Sequence, residues 1–167
     1  MLKLLRFPNP VNETSARLVA AGVVVIGAAF AATGNPWILA VLTYGFVARV
    51  LSGPTLSPLG RLATQVVTPR LRVQHRFVPG PPKRFAQGVG ATFSLTAAGL
   101  VAVGATSPAR IVIAMLVIAA LLEAVFAICL GCIAFGGLMR IGVIPKDVCE
   151  ECNNFTARSW ATTTHLA

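Results

Sequence analysis

Charge is scarce in this chain. Only 11% of its 167 residues are charged, less than half the ~25% of an ordinary soluble domain, and no Asp or Glu stands between Glu13 and Glu123. So few charges cannot build a water-facing surface, which excludes a soluble globular domain. A mean hydropathy of +0.78 points instead to an integral membrane protein. Aromatic residues are few as well, at 7%, and they interleave poorly with Lys and Arg. The formal net charge of +9 therefore argues for a membrane surface as partner and against nucleic acid. Cysteine is absent before position 129; four then arrive in two pairs, Cys129-Leu130-Gly131-Cys132 and Cys149-Glu150-Glu151-Cys152. Those thiols are the obvious chemistry in the chain.

The apolar runs divide into four expected spans. The first extends from about Arg17 to Thr33, just enough to cross a ~30 Å hydrocarbon core at ~1.5 Å per residue. Gly34-Asn35-Pro36 reads as a turn with Pro36 opening the next helix. The second span runs from Trp37 to about Leu51, and the third from near Phe85 to near Thr106. Ser107-Pro108 turns the chain into the fourth, from Ile111 to about Met139, with the first cysteine pair near its end. A cleaved signal peptide is a poor reading of the first span, because its leading region is long and contains Glu13 and two prolines. The expected architecture is thus an all-α integral membrane protein: a four-helix membrane domain over 17–140, a short segment 1–16 before it, and a tail 141–167 carrying the CEEC motif. Most Lys and Arg residues flank the spans on one side, so the positive-inside rule places both termini and the middle segment in the cytoplasm.

That middle segment, 52–84, is rich in Pro and Arg. Leu56, Leu59, Leu62, Ala63, Val66 and Val67 fall at helical spacing, which predicts a short amphipathic helix in the membrane interface, ended by Pro69. Arg70, Arg72, Arg76, Lys83 and Arg84 form a lipid-facing basic cluster suited to anionic headgroups. His75 reads as an interfacial polar residue. Two ionisable residues lie inside apolar runs, where each needs compensation for at least ~2.5 kcal/mol. Arg49 lies 13 residues past Pro36 and Glu123 lies 15 past Pro108. Both helices start from one face, so the two side chains reach similar depths within about 3 Å. The expectation is a structural ion pair, Arg49 with Glu123.

The cysteines admit three readings. Cys129 and Cys132, three apart on a continuous helix, would have Cβ atoms ~5–6 Å apart, whereas a disulfide needs nearer 3.8 Å. Closing one would require local distortion, which Gly131, Gly136 and Gly137 ease. A site near a helix C-terminus would raise thiol pKa, while Arg140 and the basic segment oppose that. Cys149 and Cys152 lie beyond Pro145 among Asp147, Glu150 and Glu151, whose charge disfavours thiolate and favours a reductant or cation ligand. Residues 133 to 148, sixteen in number, separate Cys132 from Cys149. That spacing fits a four-thiolate zinc or iron site at Cys129, Cys132, Cys149 and Cys152. Redox exchange, metal binding and inert packing all remain open on these grounds.

Pro82-Lys83-Arg84-Phe85-Ala86-Gln87 before the third span, and Phe126-Ala127-Ile128-Cys129-Leu130-Gly131-Cys132 ending the fourth, add a further indication. In these elements, and over about Ser15 to Arg140, the chain resembles the bacterial membrane family called domain of unknown function 4395. The resemblance implies a small four-helix protein of the DoxX and methylamine-utilisation E type in the bacterial cytoplasmic membrane. It also implies association with thioredoxin-like or sulfurtransferase proteins, and hence thiol or sulfur chemistry at Cys129 and Cys132. Relatives often have a neutral polar residue where this chain has Glu123, so no functional role is carried over to that position. The resulting expectation is a membrane-embedded thiol/disulfide redox or sulfur-relay protein needing no cofactor. Cys129 and Cys132 would be its catalytic pair and Cys149 and Cys152 their redox partners. The alternative is a zinc- or iron-binding scaffold, a subunit of a membrane complex without catalysis.

Overall fold

A computed structural model of the chain describes residues 9–71 and 76–149. Among them six α-helices dominate: α1 (Glu13–Thr33), α2 (Pro36–Ser52), α3 (Pro58–Arg61), α4 (Gly80–Ala102), α5 (Thr106–Phe126) and α6 (Leu130–Arg140). A two-stranded antiparallel ladder pairs β1 (Val11–Asn12) with β2 (Phe77–Val78). Local chemistry explains most of these boundaries. Asn12 caps α1 by accepting the Thr14 N–H at 2.9 Å, and Gly34 closes it in the left-handed region at φ 69°. Asn35 accepts the Trp37 N–H at 3.0 Å, with Pro36 in the first turn of α2, where a missing N–H is no loss. Three of the helices, α1, α4 and α5, are long and apolar enough to cross a membrane, and α2 is a shorter apolar helix.

The helices close into a ring in which α1 packs on α5, α2 on α4, α4 on α5 and α1 on α2. Phe30, Leu39, Leu42, Ala97, Ala109 and Ile113 fill its centre. Small residues set the spacing: a Cβ on Gly27 would lie 2.6 Å from Val117, and one on Gly90 would strike the Phe46 ring. Outward positions carry Val25, Trp37, Ile111 and Ile118 exposed, a surface suited to lipid rather than water. The α1/α5 pair is pinned at both ends by arginine. Arg17, early in α1, donates to the carbonyls of Ala124 and Val125 at 3.0 Å each. Arg110, early in α5, donates to those of Ala31 and Ala32. Each guanidinium satisfies carbonyls orphaned at the other helix's C-terminus, so the two helices run antiparallel.

Two expectations change here. The middle segment is helical, but in three short pieces and not as one helix. α3 is followed by a π-helical stretch at Leu62–Val67 and a 3₁₀ turn at Thr68–Arg70. Thr68 Oγ1 bonds the Ala63 carbonyl at 2.7 Å and the Ser15 hydroxyl at 2.9 Å, tying the segment to α1. The fourth apolar run is also not one helix. It stops at Phe126, where Ala127 adopts φ 58° and the N–H groups of Ala127 and Ile128 turn back onto the carbonyls of Glu123 and Leu122. Arg17 holds the last carbonyls of α5 from outside, and a new helix, α6, begins at Leu130. Apolar periodicity reports no such break, because it runs on through the turn.

Candidate functional site

Breaking the fourth run changes the setting of the first cysteine pair. Cys129 becomes the N-cap residue of α6 and Cys132 lies in its first turn. The pair therefore opens a helix instead of closing one. Extended backbone at Cys129 (φ −94°, ψ 100°) swings its side chain toward that of Cys132, and the sulfurs stand 2.7 Å apart. Both are free thiols, and Cys132 donates to Cys129. A disulfide, with a bond of ~2.05 Å, is thus within reach without the helix distortion a continuous span would require. Gly131 permits the placement. A Cβ there would lie 2.5 Å from the Ala86 Cβ and 2.6 Å from its Cα, so only glycine brings this turn against α4. Phe85 and Phe135, with ring centroids 5.6 Å apart, hold α6 to α4 one turn further on.

The thiols form part of the wall of a cavity of about 400 Å³, otherwise lined chiefly by Val78, Pro79, Pro82, Ile128, Ile133 and Phe135, with Glu13 and Lys83. Lys83 is buried, and its Nζ lies 2.6 Å from Glu123 Oε1. The expected ion pair is accordingly corrected: the cation paired with Glu123 is Lys83, not Arg49. Arg49, 4% exposed, donates from Nε to Gln87 Oε1 at 2.8 Å and from Nη1 to Ser57 Oγ at 3.1 Å. Its guanidinium stacks 4.5 Å above the Phe46 ring, in room left by Gly45. Equal depth along two helices does not place side chains on facing sides, and Lys83 projects from the helix between them. Lys83 therefore also leaves the expected lipid-facing cluster.

Electrostatics separate the two sulfurs. The hydrogen bond from Cys132 holds the Cys129 thiol below the ordinary thiol range, with Lys83 assisting, against burial and the charge of Glu123. The same hydrogen bond, then burial, pushes the Cys132 thiol up. The positive end of α6 adds to the stabilisation of a Cys129 thiolate. Of the two sulfurs, Cys129 is the one that ionises more readily.

Of the remaining expected residues, those that are described do not line this cavity. Arg70 and Arg76 are exposed, Arg76 3.8 Å from Glu13. Arg84 is exposed and donates to the Val50 carbonyl at 3.0 Å. Arg72, His75 and Cys152 lie outside the described residues. Cys149 is disulfide-bonded and shares an apolar cluster with Phe135 and Met139. While so bonded it is no thiolate ligand, and among the described residues no three His, Cys, Asp or Glu side chains gather to hold a metal. Sequence reasoning missed Lys83 as a buried partner, Arg17 as a helix cap and Gly131 as a contact glycine. Only Lys83 had a usable signal, being a second cation at the same end of the bundle as Glu123. No curated protein and no solved structure matches the chain. A family match does cover most of it: over residues 11–140 the chain belongs to the family described as Domain of unknown function (DUF4395).

Proposed function

We propose that the protein is a four-span membrane dithiol/disulfide carrier working at the cytoplasmic face of a bacterial inner membrane, with both termini on that side. One observation carries this reading: two free sulfurs 2.7 Å apart at the start of α6, in the wall of a cavity that also holds Lys83. Cys129 attacks a disulfide as thiolate, a mixed disulfide forms, and Cys132 displaces the leaving thiol to close Cys129–Cys132. Run in reverse, the same steps deliver the disulfide to a partner. The partners that fit are the tail pair Cys149 and Cys152, or a thioredoxin-like or sulfurtransferase protein presenting a dithiol. The fourth span in this reading is α2, whose 17 residues meet the lower limit for crossing a bilayer. The α3 segment lies in the interface, and Arg70, Arg76 and Arg84 face anionic headgroups.

Thiol and metal counting on anaerobically purified protein tests it. The expected result is a loss of two hydrogens on mild oxidation from the peptide bearing Cys129 and Cys132, reversed by dithiothreitol, with no stoichiometric metal. Thiols that stay reduced under mild oxidant, or metal bound one-to-one and lost on Cys132→Ser, would overturn it.

A further inference from the structure

We propose that the electron acceptor of the Cys129/Cys132 dithiol is a lipid-soluble quinone, which enters the cavity of about 400 Å³ beside them from the membrane. The inference rests on the dithiol reading and adds its substrate class. Three observations carry it. First, the cavity lies within the ~300–1,000 Å³ range of small-molecule sites, and its walls are mainly Val, Pro, Ile and Phe side chains, with Glu13, Lys83 and the two thiols among them. An apolar ring fits there; an ionic or sugar-bearing electron carrier does not. Second, the wall is continuous with an apolar outer surface: Ile133 is 63% exposed, and Ile128, Leu130 and Phe126 are exposed beside it. Such a rim suits a molecule arriving through lipid. Third, the cavity is lined by a buried cation, Lys83, as well as by the thiols; one ammonium hydrogen is taken by Glu123 at 2.6 Å, which leaves others for a ligand. The Lys83 ammonium can meet negative charge as it develops on a carbonyl oxygen.

The chemistry balances without another reactant. The Cys129 thiolate adds to a ring carbon of the quinone, forming a C–S bond and moving an electron pair onto the carbonyl oxygen facing Lys83. The Cys132 sulfur then attacks the Cys129 sulfur. The S–S bond forms as the C–S bond breaks, and its electron pair stays on the ring. The two protons given up by the thiols end on the two quinol oxygens. Two thiols become one disulfide, and one quinone becomes one quinol.

The test uses the full-length protein in lipid nanodiscs, reduced and freed of reductant, mixed anaerobically with a fully substituted benzoquinone bearing a decyl tail. Quinone absorbance and thiol mass are followed together, and a parallel arm uses glutathione disulfide in excess. The expected result is one quinone reduced for each two hydrogens lost from the Cys129/Cys132 peptide, and no reaction in Cys129→Ser. Ile133→Trp, which narrows the cavity, should slow quinone reduction at least tenfold. Oxidation by glutathione disulfide with the quinone untouched would overturn the acceptor and leave the dithiol carrier standing. Reaction with neither would overturn both. A stable sulfur–quinone adduct without quinol would also overturn the acceptor.

Discussion

The two ends of the helical bundle are built by different rules. At the far end α1 gives way to α2 through Gly34-Asn35-Pro36, and α4 to α5 through Gly104, with Gly34 and Gly104 in the left-handed region. At the near end the α5 terminus uses Ala127 in that same region, and the surrounding interior holds Arg49, Lys83, Glu123 and the thiols instead of turn residues alone. An arginine from the neighbouring helix caps each end of the α1/α5 pair. Similar caps thus stabilise a plain turn at one end and an expensive, polar one at the other. The expense falls beside the two thiols.

Substitutions can sharpen that contrast. The largest effect is expected at the sulfurs: Cys129→Ser or Cys132→Ser should abolish the oxidant-dependent loss of two hydrogens while shifting the melting temperature little. Next comes Lys83→Met, which leaves Glu123 without its cation and should lower stability by about 3–5 kcal/mol in denaturant titration. Its far-end counterpart, Arg110→Met, should lose only about 1 kcal/mol, since water can replace it at the α1 carbonyls. Equal losses would erase the difference between the ends. Gly131→Ala should cost about 1–3 kcal/mol by driving α6 off Ala86, and slow disulfide closure as well. Gly137→Ala, with open space around the new Cβ, should be neutral or stabilise by up to about 1 kcal/mol. The smallest pair has opposite signs. Gly34→Ala should destabilise by about 1 kcal/mol, and Ala127→Gly should stabilise by less than that, both read as shifts in melting temperature.

The Gly34-Asn35-Pro36 turn was legible in the sequence because turn chemistry there is local: Asn, Gly and Pro act within a few residues of where they stand. The turn expected at Ser107-Pro108 lies instead at 103–105, and Ser107 and Pro108 open α5, where a proline in the first turn loses no hydrogen bond. The three long helices were legible from length and hydropathy, to within a few residues at most boundaries. At the near end the determining contacts are long-range. Arg17 reaches α5 across more than a hundred positions, and Gly131 is constrained by Ala86. The apolar run from Ile111 to Met139 gives no local sign that it breaks at Ala127. Position along a helix placed Arg49 and Glu123 at one depth, but the angular position around each helix decided that Lys83 would be the cation Glu123 meets.

That break governs the chemistry assigned to the cysteines, and the pH dependence of alkylation tests it directly. In nanodiscs, with the protein reduced, the rate of iodoacetamide labelling at Cys129 should follow a midpoint below the ~8.5 of an ordinary thiol. Cys132 should label only at clearly higher pH, and Cys132→Ala should move the Cys129 midpoint upward. If instead both sulfurs titrate together at or above ~8.5, as a pair near the C-terminal end of an unbroken helix would, the pair does not open a helix and the assignment of Cys129 as nucleophile fails.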